Sequence, residues 1–144
     1  MKATRRLVVA VGAGAFGVGC VGGREAASLD TRTPVQLTAE QRNAVLVEMR
    51  TMLASVSGVV GATARSDSAG IRSAALASGT AAAADPALEK LLPEAWLQMA
   101  TRTHAGFDSL AAAAAKGCDT VVARLAALST NCVSCHAMYR LATR

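Results

Sequence analysis

Aromatic side chains are scarce in this chain, with one Trp, one Tyr and two Phe among 144 residues. A core built without them relies on small aliphatic groups, and alanine-rich packing buries little apolar area per residue. A large flat cofactor would supply the missing apolar surface. Apolar and polar residues nowhere alternate over a strand's length, so no strand is expected. No basic patch interleaved with aromatics occurs, which argues against nucleic-acid binding. Four cysteines, unevenly placed, do not suggest a disulfide framework.

The N-terminus carries a short basic segment, Met1-Lys2-Ala3-Thr4-Arg5-Arg6, then an apolar stretch from Leu7 to Val18. That stretch is too short to span a bilayer and fits a secretory signal over residues 1–19. Gly17-Val18-Gly19-Cys20 ends it. A small residue before a cysteine here resembles the lipobox of bacterial lipoproteins, although Gly17 stands where that motif usually has Leu. Cys20 is therefore the expected lipidation site, in preference to an ordinary cleaved signal, because no A-x-A-like site follows. Removing residues 1–19 takes away Lys2, Arg5 and Arg6 and no acidic residue, so the formal charge falls from +5 to +2. The basic character belongs mostly to the signal.

Residues 20–37 hold Gly, Ser, Thr and Pro without periodicity and read as a flexible tether. A domain follows over residues 38–144. Thr38-Ala39-Glu40-Gln41 makes a capping box, and Val45, Leu46, Met49, Met52, Leu53, Val56, Val59 and Val60 recur at helical spacing to about Ala64. A second helix is expected from about Ser68 to Ala83, broken by Asp85-Pro86. Leu92-Pro93-Glu94 opens a third, lined by Trp96, Met99, Thr103, Phe107 and Leu110, and Gly117 ends it. Asp119 is the expected cap of a fourth, whose stripe comprises Val121, Val122, Leu125, Leu128, Cys132, Cys135, His136 and Tyr139. Four amphipathic helices with mostly short connections give an all-α fold, an antiparallel up-down-up-down four-helix bundle.

The chemistry-bearing stretch is Asn131-Cys132-Val133-Ser134-Cys135-His136. C-x-x-C-H reads as covalent attachment of one c-type haem, two thiols adding to the porphyrin vinyl groups and the imidazole taking the iron. On a helix these residues sit at i, i+3 and i+4, on one face. A thioredoxin-like motif would need a βαβ setting, and a zinc site would need a second pair of ligands, for which Cys118 alone is left. Cys118 is expected to be a buried thiol.

The whole pattern resembles class II c-type cytochromes, the family of cytochrome c′ and its low-spin c-556 relatives. The resemblance rests on Cys132-Val133-Ser134-Cys135-His136-Ala137-Met138-Tyr139-Arg140 at the end of the last helix, and covers about residues 38–144. Leu92-Pro93-Glu94-Ala95-Trp96, Thr103-His104-Ala105-Gly106-Phe107-Asp108 and Val47-Glu48-Met49 are similar to a c-556-like subgroup. The alanine-rich second helix and Cys20 depart from it.

In such a bundle the C-terminal end of helix four lies beside the starts of helices one and three. At 1.5 Å rise, His136 lies about 12 Å from that end, Met49 about 16 Å, His104 about 17 Å and Met99 about 9 Å. Met49 is the favoured sixth ligand, His104 the alternative, and an open site the third possibility. Arg140, at i+4 from His136, is placed either near the haem edge or in solvent. A His/Met haem implies electron transfer. A five-coordinate haem would instead bind NO or CO as sensor or scavenger, as cytochrome c′ does. No acid–base constellation beyond His104 suggests an enzyme. The expected setting is the periplasm, as a membrane-anchored lipoprotein that meets redox partner proteins and has scope for a homodimer.

Overall fold

The computed structural model describes residues 29–83 and 85–144. The signal segment 1–19, Cys20 and the first part of the expected tether lie outside the described residues. Five helices and two short strands follow in the order β1 (Thr33–Leu37), α1 (Ala39–Ala64), α2 (Ser68–Leu76), α3 (Pro86–Glu89), α4 (Glu94–Ala113), α5 (Cys118–Met138) and β2 (Tyr139–Thr143). The protein is mostly helical, as its periodicity predicts.

The capping box closes the start of α1. Thr38 Oγ1 accepts from the Gln41 amide at 3.2 Å, and Gln41 Oε1 accepts from the Thr38 amide at 2.9 Å. Arg65 and Ser66 then turn the chain, Ser66 in the left-handed region (φ 54°), and the Asp67 carboxylate caps α2 by accepting from the Gly70 amide at 2.8 Å. α1 and α2 fold back on each other as an αα-hairpin.

α2 stops at Leu76 rather than Ala83 because α4 captures the backbone beyond it. The Ser78 carbonyl lies 2.9 Å from His104 Nδ1, and the Asp108 carboxylate accepts from the Thr80 amide at 3.2 Å and its hydroxyl at 2.6 Å. Asp85, expected only to break a helix, caps the single turn of α3 through the Ala87 and Leu88 amides. Pro93 sits at the cap of α4, one position earlier than its expected place inside the helix. A 3-10 turn, Ala114–Lys116, follows α4, and Gly117 (φ 96°) starts α5. Asp119 is not the cap, since Gly117 occupies that position and makes no side-chain bond there.

β1 and β2 pair in parallel, Thr33 opposite Tyr139 through Leu37 opposite Thr143. This corrects three expectations: the fold is not all-α but carries a two-stranded sheet, residues 33–37 are not tether, and Tyr139 and Arg140 have left the helix. Val35 and Leu37 are buried while Pro34 and Gln36 are exposed, a two-residue alternation too short to stand out in sequence.

α1 packs on α2, α2 on α4 and α4 on α5, whereas α1 and α5 meet at only a few positions. One core cluster gathers Val59, Ile71, Ala75, Phe107, Leu110, Val121 and Leu128. A second, at the end where α5 gives way to β2, gathers Val35, Leu37, Val45, Trp96, Met99 and Tyr139. Trp96 and Tyr139 meet edge to face there, with ring centroids 5.4 Å apart.

Candidate haem site

α5 is helical through Met138, so Cys132, Cys135 and His136 share a face as their spacing predicts. The two thiols are free and half-buried, and burial pushes both above the usual thiol range. They are therefore protonated at neutral pH. Cys132 Sγ lies 3.8 Å from the Leu128 carbonyl. His136 is exposed, and its ring makes no hydrogen bond or ion pair among the described residues. Of the motif, which belongs to the apolar stripe of the fourth expected helix, only the two cysteines are drawn toward the core, and only in part.

Met49 on α1 is half-buried and packs against the second cluster, which Cys135 joins from α5. The structure thus brings the favoured sixth ligand and one attachment cysteine to the same apolar group. Met52, one turn deeper, belongs to the first cluster instead. Met99 is buried, and Met138 is about half exposed.

The uncovered surface lies beside these residues. At about 100° per residue, Ser55, Val59 and Ala62 form the buried flank of α1. Val56, Met49, Val60, Leu53 and Leu46 occupy the adjoining arc of roughly 80°. Leu53 is 69% exposed and Val60 51%. On α5, Val121, Leu128 and Cys135 take one flank, while His136, Ser129, Val122 and Val133 fill the next roughly 60°. Val122 is 56% exposed and Val133 69%. Each helix therefore has an apolar arc half covered by protein, and the bare halves carry Met49 and His136. α1 is also long and apolar enough, by length and composition alone, to cross a membrane.

His104 is placed elsewhere. It is 5% exposed, with Nδ1 2.9 Å from the Ser78 carbonyl and Nε2 3.2 Å from Glu48 Oε1. A carbonyl and a carboxylate only accept, so in its protonated form His104 donates from both ring nitrogens and has no lone pair open to a metal. The Glu48 carboxylate holds its pKa above the ordinary imidazole value against the opposing effect of burial. Glu48 was not singled out by sequence; its position immediately before Met49 was the only signal.

An N-terminal segment braces the site from outside. Arg32 Nη1 donates to the His136 carbonyl at 3.2 Å and its Nη2 to the Asp30 carboxylate at 2.7 Å. Arg140 Nε is buried without a hydrogen bond, 3.9 Å from the same carboxylate. Arg32, with Arg140 as a smaller contributor, holds the Asp30 carboxyl down at about 2. Arg140 thus faces Asp30 on β2, and is only half-buried. Cys118, expected to be buried, is half-buried with Sγ 3.7 Å from the Thr63 carbonyl.

A cavity of about 640 Å³ opens between α1, α3 and α4, lined by Val45, Glu48, Leu88, Trp96, Arg102 and His104 among others, and includes none of Met49, Cys132, Cys135 and His136. Among the described residues, no three His, Cys, Asp or Glu side chains gather as a metal-ion site, so the donors present do not make a zinc centre. Comparison with family models, curated proteins and solved structures finds no match to this chain.

The donor set does fit a covalently held haem. It offers two protonated thiols and one unengaged imidazole on a single helical face, a thioether on the neighbouring helix, and bare apolar flanks on both.

Proposed function

We propose that this protein is a periplasmic monohaem c-type cytochrome that carries electrons through a His136/Met49-ligated low-spin haem. The observation that carries the reading is that Cys132, Cys135 and His136 share one helical face of α5, His136 at the edge of its exposed apolar arc, while Met49 on α1 packs in the same cluster as Cys135. α1, α2, α4 and α5 are read as a four-helix bundle whose fourth seam is spread to take the cofactor. Covering Leu53, Val60, Val122 and Val133 would remove apolar surface from water, at about 25 cal/mol per Å².

Cys132 and Cys135 hold the group by thioether bonds. Each S–H would add across a vinyl C=C, sulfur to one carbon and hydrogen to the other, with nothing released and no net redox change. The group supplies one-electron chemistry. His136 would hold the iron, and the Arg32 bond to its carbonyl steadies the helix end. Met49 would be the second side chain to hold the iron, which would suit a carrier of electrons over a binder of gases. Cys20 anchors the chain by lipid, and the partners are redox proteins.

Denaturing electrophoresis with haem staining, then absorption spectra of the ferric and ferrous protein with and without CO, test this. Colour that stays with the chain and a low-spin spectrum indifferent to CO are expected. Colour lost on denaturation refutes attachment. A high-spin haem that takes up CO makes the protein an NO- or CO-binding haem protein.

A further inference from the structure

α1 needs holding in place more than the other long helices. It packs mainly along one flank and approaches α5 sparsely, so its exposed side offers little resistance to rotation about its own axis. Two side-chain ties supply that resistance. Glu48 Oε1 meets His104 Nε2 at 3.2 Å, and Ser55 Oγ meets Ser78 Oγ at 2.8 Å. Both lead to one residue, because the Ser78 carbonyl accepts from His104 Nδ1 at 2.9 Å. His104, Ser55 and Ser78 are all buried. α4 thus holds α1 directly at Glu48 and, through the Ser78 that His104 binds, at Ser55, two points about two turns, or roughly 10 Å, apart.

We propose that His104 is a positioning residue for the distal ligand, fixing the rotation of α1 through Glu48 and so aiming the Met49 thioether. The inference rests on the reading of Met49 as that ligand. Glu48 immediately precedes Met49, so the tied side chain and the ligating one leave the helix about 100° apart. With side-chain tips about 5–6 Å from the axis, a 20° rotation of α1 displaces the thioether by about 2 Å. Functional groups need placement within about 0.5 Å and 10–20°, so that displacement breaks a bond to the iron. Ser55, two turns beyond Glu48, is the second tie against rotation, and Glu48, adjacent to Met49, is the one that sets its local aim. Thr80 and Asp108 tie α4 to the segment after α2 and do not touch α1.

Electron paramagnetic resonance of the ferric holoprotein, read with the far-red band of thioether-bound ferric haem and with circular dichroism for helicity, tests this on five variants. His104→Ala and Glu48→Ala should each raise the high-spin fraction at least tenfold and weaken the far-red band, with helicity kept. Glu48→Gln retains an acceptor and should restore most of the low-spin signal. Asp108→Ala removes two hydrogen bonds to Thr80 and a small electrostatic contribution to His104, and should lower the melting temperature while changing the spin state far less than Glu48→Ala. Met49→Ala sets the fully high-spin limit. Glu48 is half-exposed and tolerates truncation, so Glu48→Ala decides the question even where His104→Ala does not fold. A wild-type spin state in Glu48→Ala overturns the inference alone, as does an Asp108→Ala variant that turns high-spin to the same extent. A low-spin Met49→Ala, or a high-spin wild type, removes the ligand reading and the inference with it.

Discussion

Replacing Met49 with alanine separates ligand from core filler. Met49 is half-buried against Val45, Trp96, Met99 and Tyr139, and its neighbour one turn on, Met52, is also half-buried but packs in the other cluster. A fully buried Met-to-Ala change costs about 2–5 kcal/mol, so about half that, or about 1–2 kcal/mol, is expected at each site from packing alone. For a domain of this size the melting temperature should fall by roughly 5 °C in both variants. Packing therefore makes the two substitutions alike, and coordination makes them differ. Met49→Ala should convert the haem to a high-spin form that binds CO, while Met52→Ala should remain low-spin and inert to CO. Absorption spectroscopy with a CO titration, alongside thermal melts followed at the helical signal, reads both effects. A low-spin, CO-inert Met49→Ala refutes the assignment. Because His104 is already bonded through both nitrogens, another ligand would then have to be sought.

Three further outcomes are expected. Wild-type protein should fractionate with membranes and Cys20→Ser with the soluble periplasm; wild type found wholly soluble reduces residues 1–19 to a plain secretion signal. His104 has its pKa raised by Glu48, so the stabilisation it provides is complete below the ordinary imidazole value near 6.5 and is lost as pH rises through the higher folded value. Denaturant midpoints should therefore fall on the alkaline side in wild type, and the fall should shrink in Glu48→Gln; equal slopes in both refute the pairing. A Cβ at Gly106 would come within 2.7 Å of Leu128 Cδ1, where α4 and α5 pack closely. Gly106→Ala should cost about 1–3 kcal/mol by overpacking, partly offset by its better helix propensity, and a melt unchanged or raised would show that Leu128 moves aside freely.

The parts of the candidate site legible in sequence were those set by short spacing. C-x-x-C-H implies one helical face wherever the helix lies, and the stripe Trp96, Met99, Thr103, Phe107 and Leu110 implied a buried side of α4, where all five are buried. His104 was ambiguous because a histidine on an apolar stripe reads equally as ligand or as core. Only its contacts with Ser78, 26 residues away, and Glu48 on α1 separate the two. The brace of Asp30 and Arg32 was overlooked because its partners, the His136 carbonyl and Arg140, are more than a hundred residues distant.

By itself the sequence determined what is decided within four or five residues. Helical period, the Thr38–Gln41 capping box and the geometry of Cys132, Cys135 and His136 depend on bonds between near neighbours in the chain, and those bonds form in the same way in any tertiary setting. Tertiary structure decided where α2 ends, because capture of Ser78 and Thr80 by α4 competes with further helical hydrogen bonds. It also turned residues 33–37 into a strand, since a single extended segment satisfies its backbone only when a distant partner, Tyr139–Thr143, supplies the other half of the ladder. The bare flanks of α1 and α5 were decided in the same way. An apolar stripe shows which side of a helix avoids water, and only the arrangement of all the helices determines how much of that side the protein covers itself.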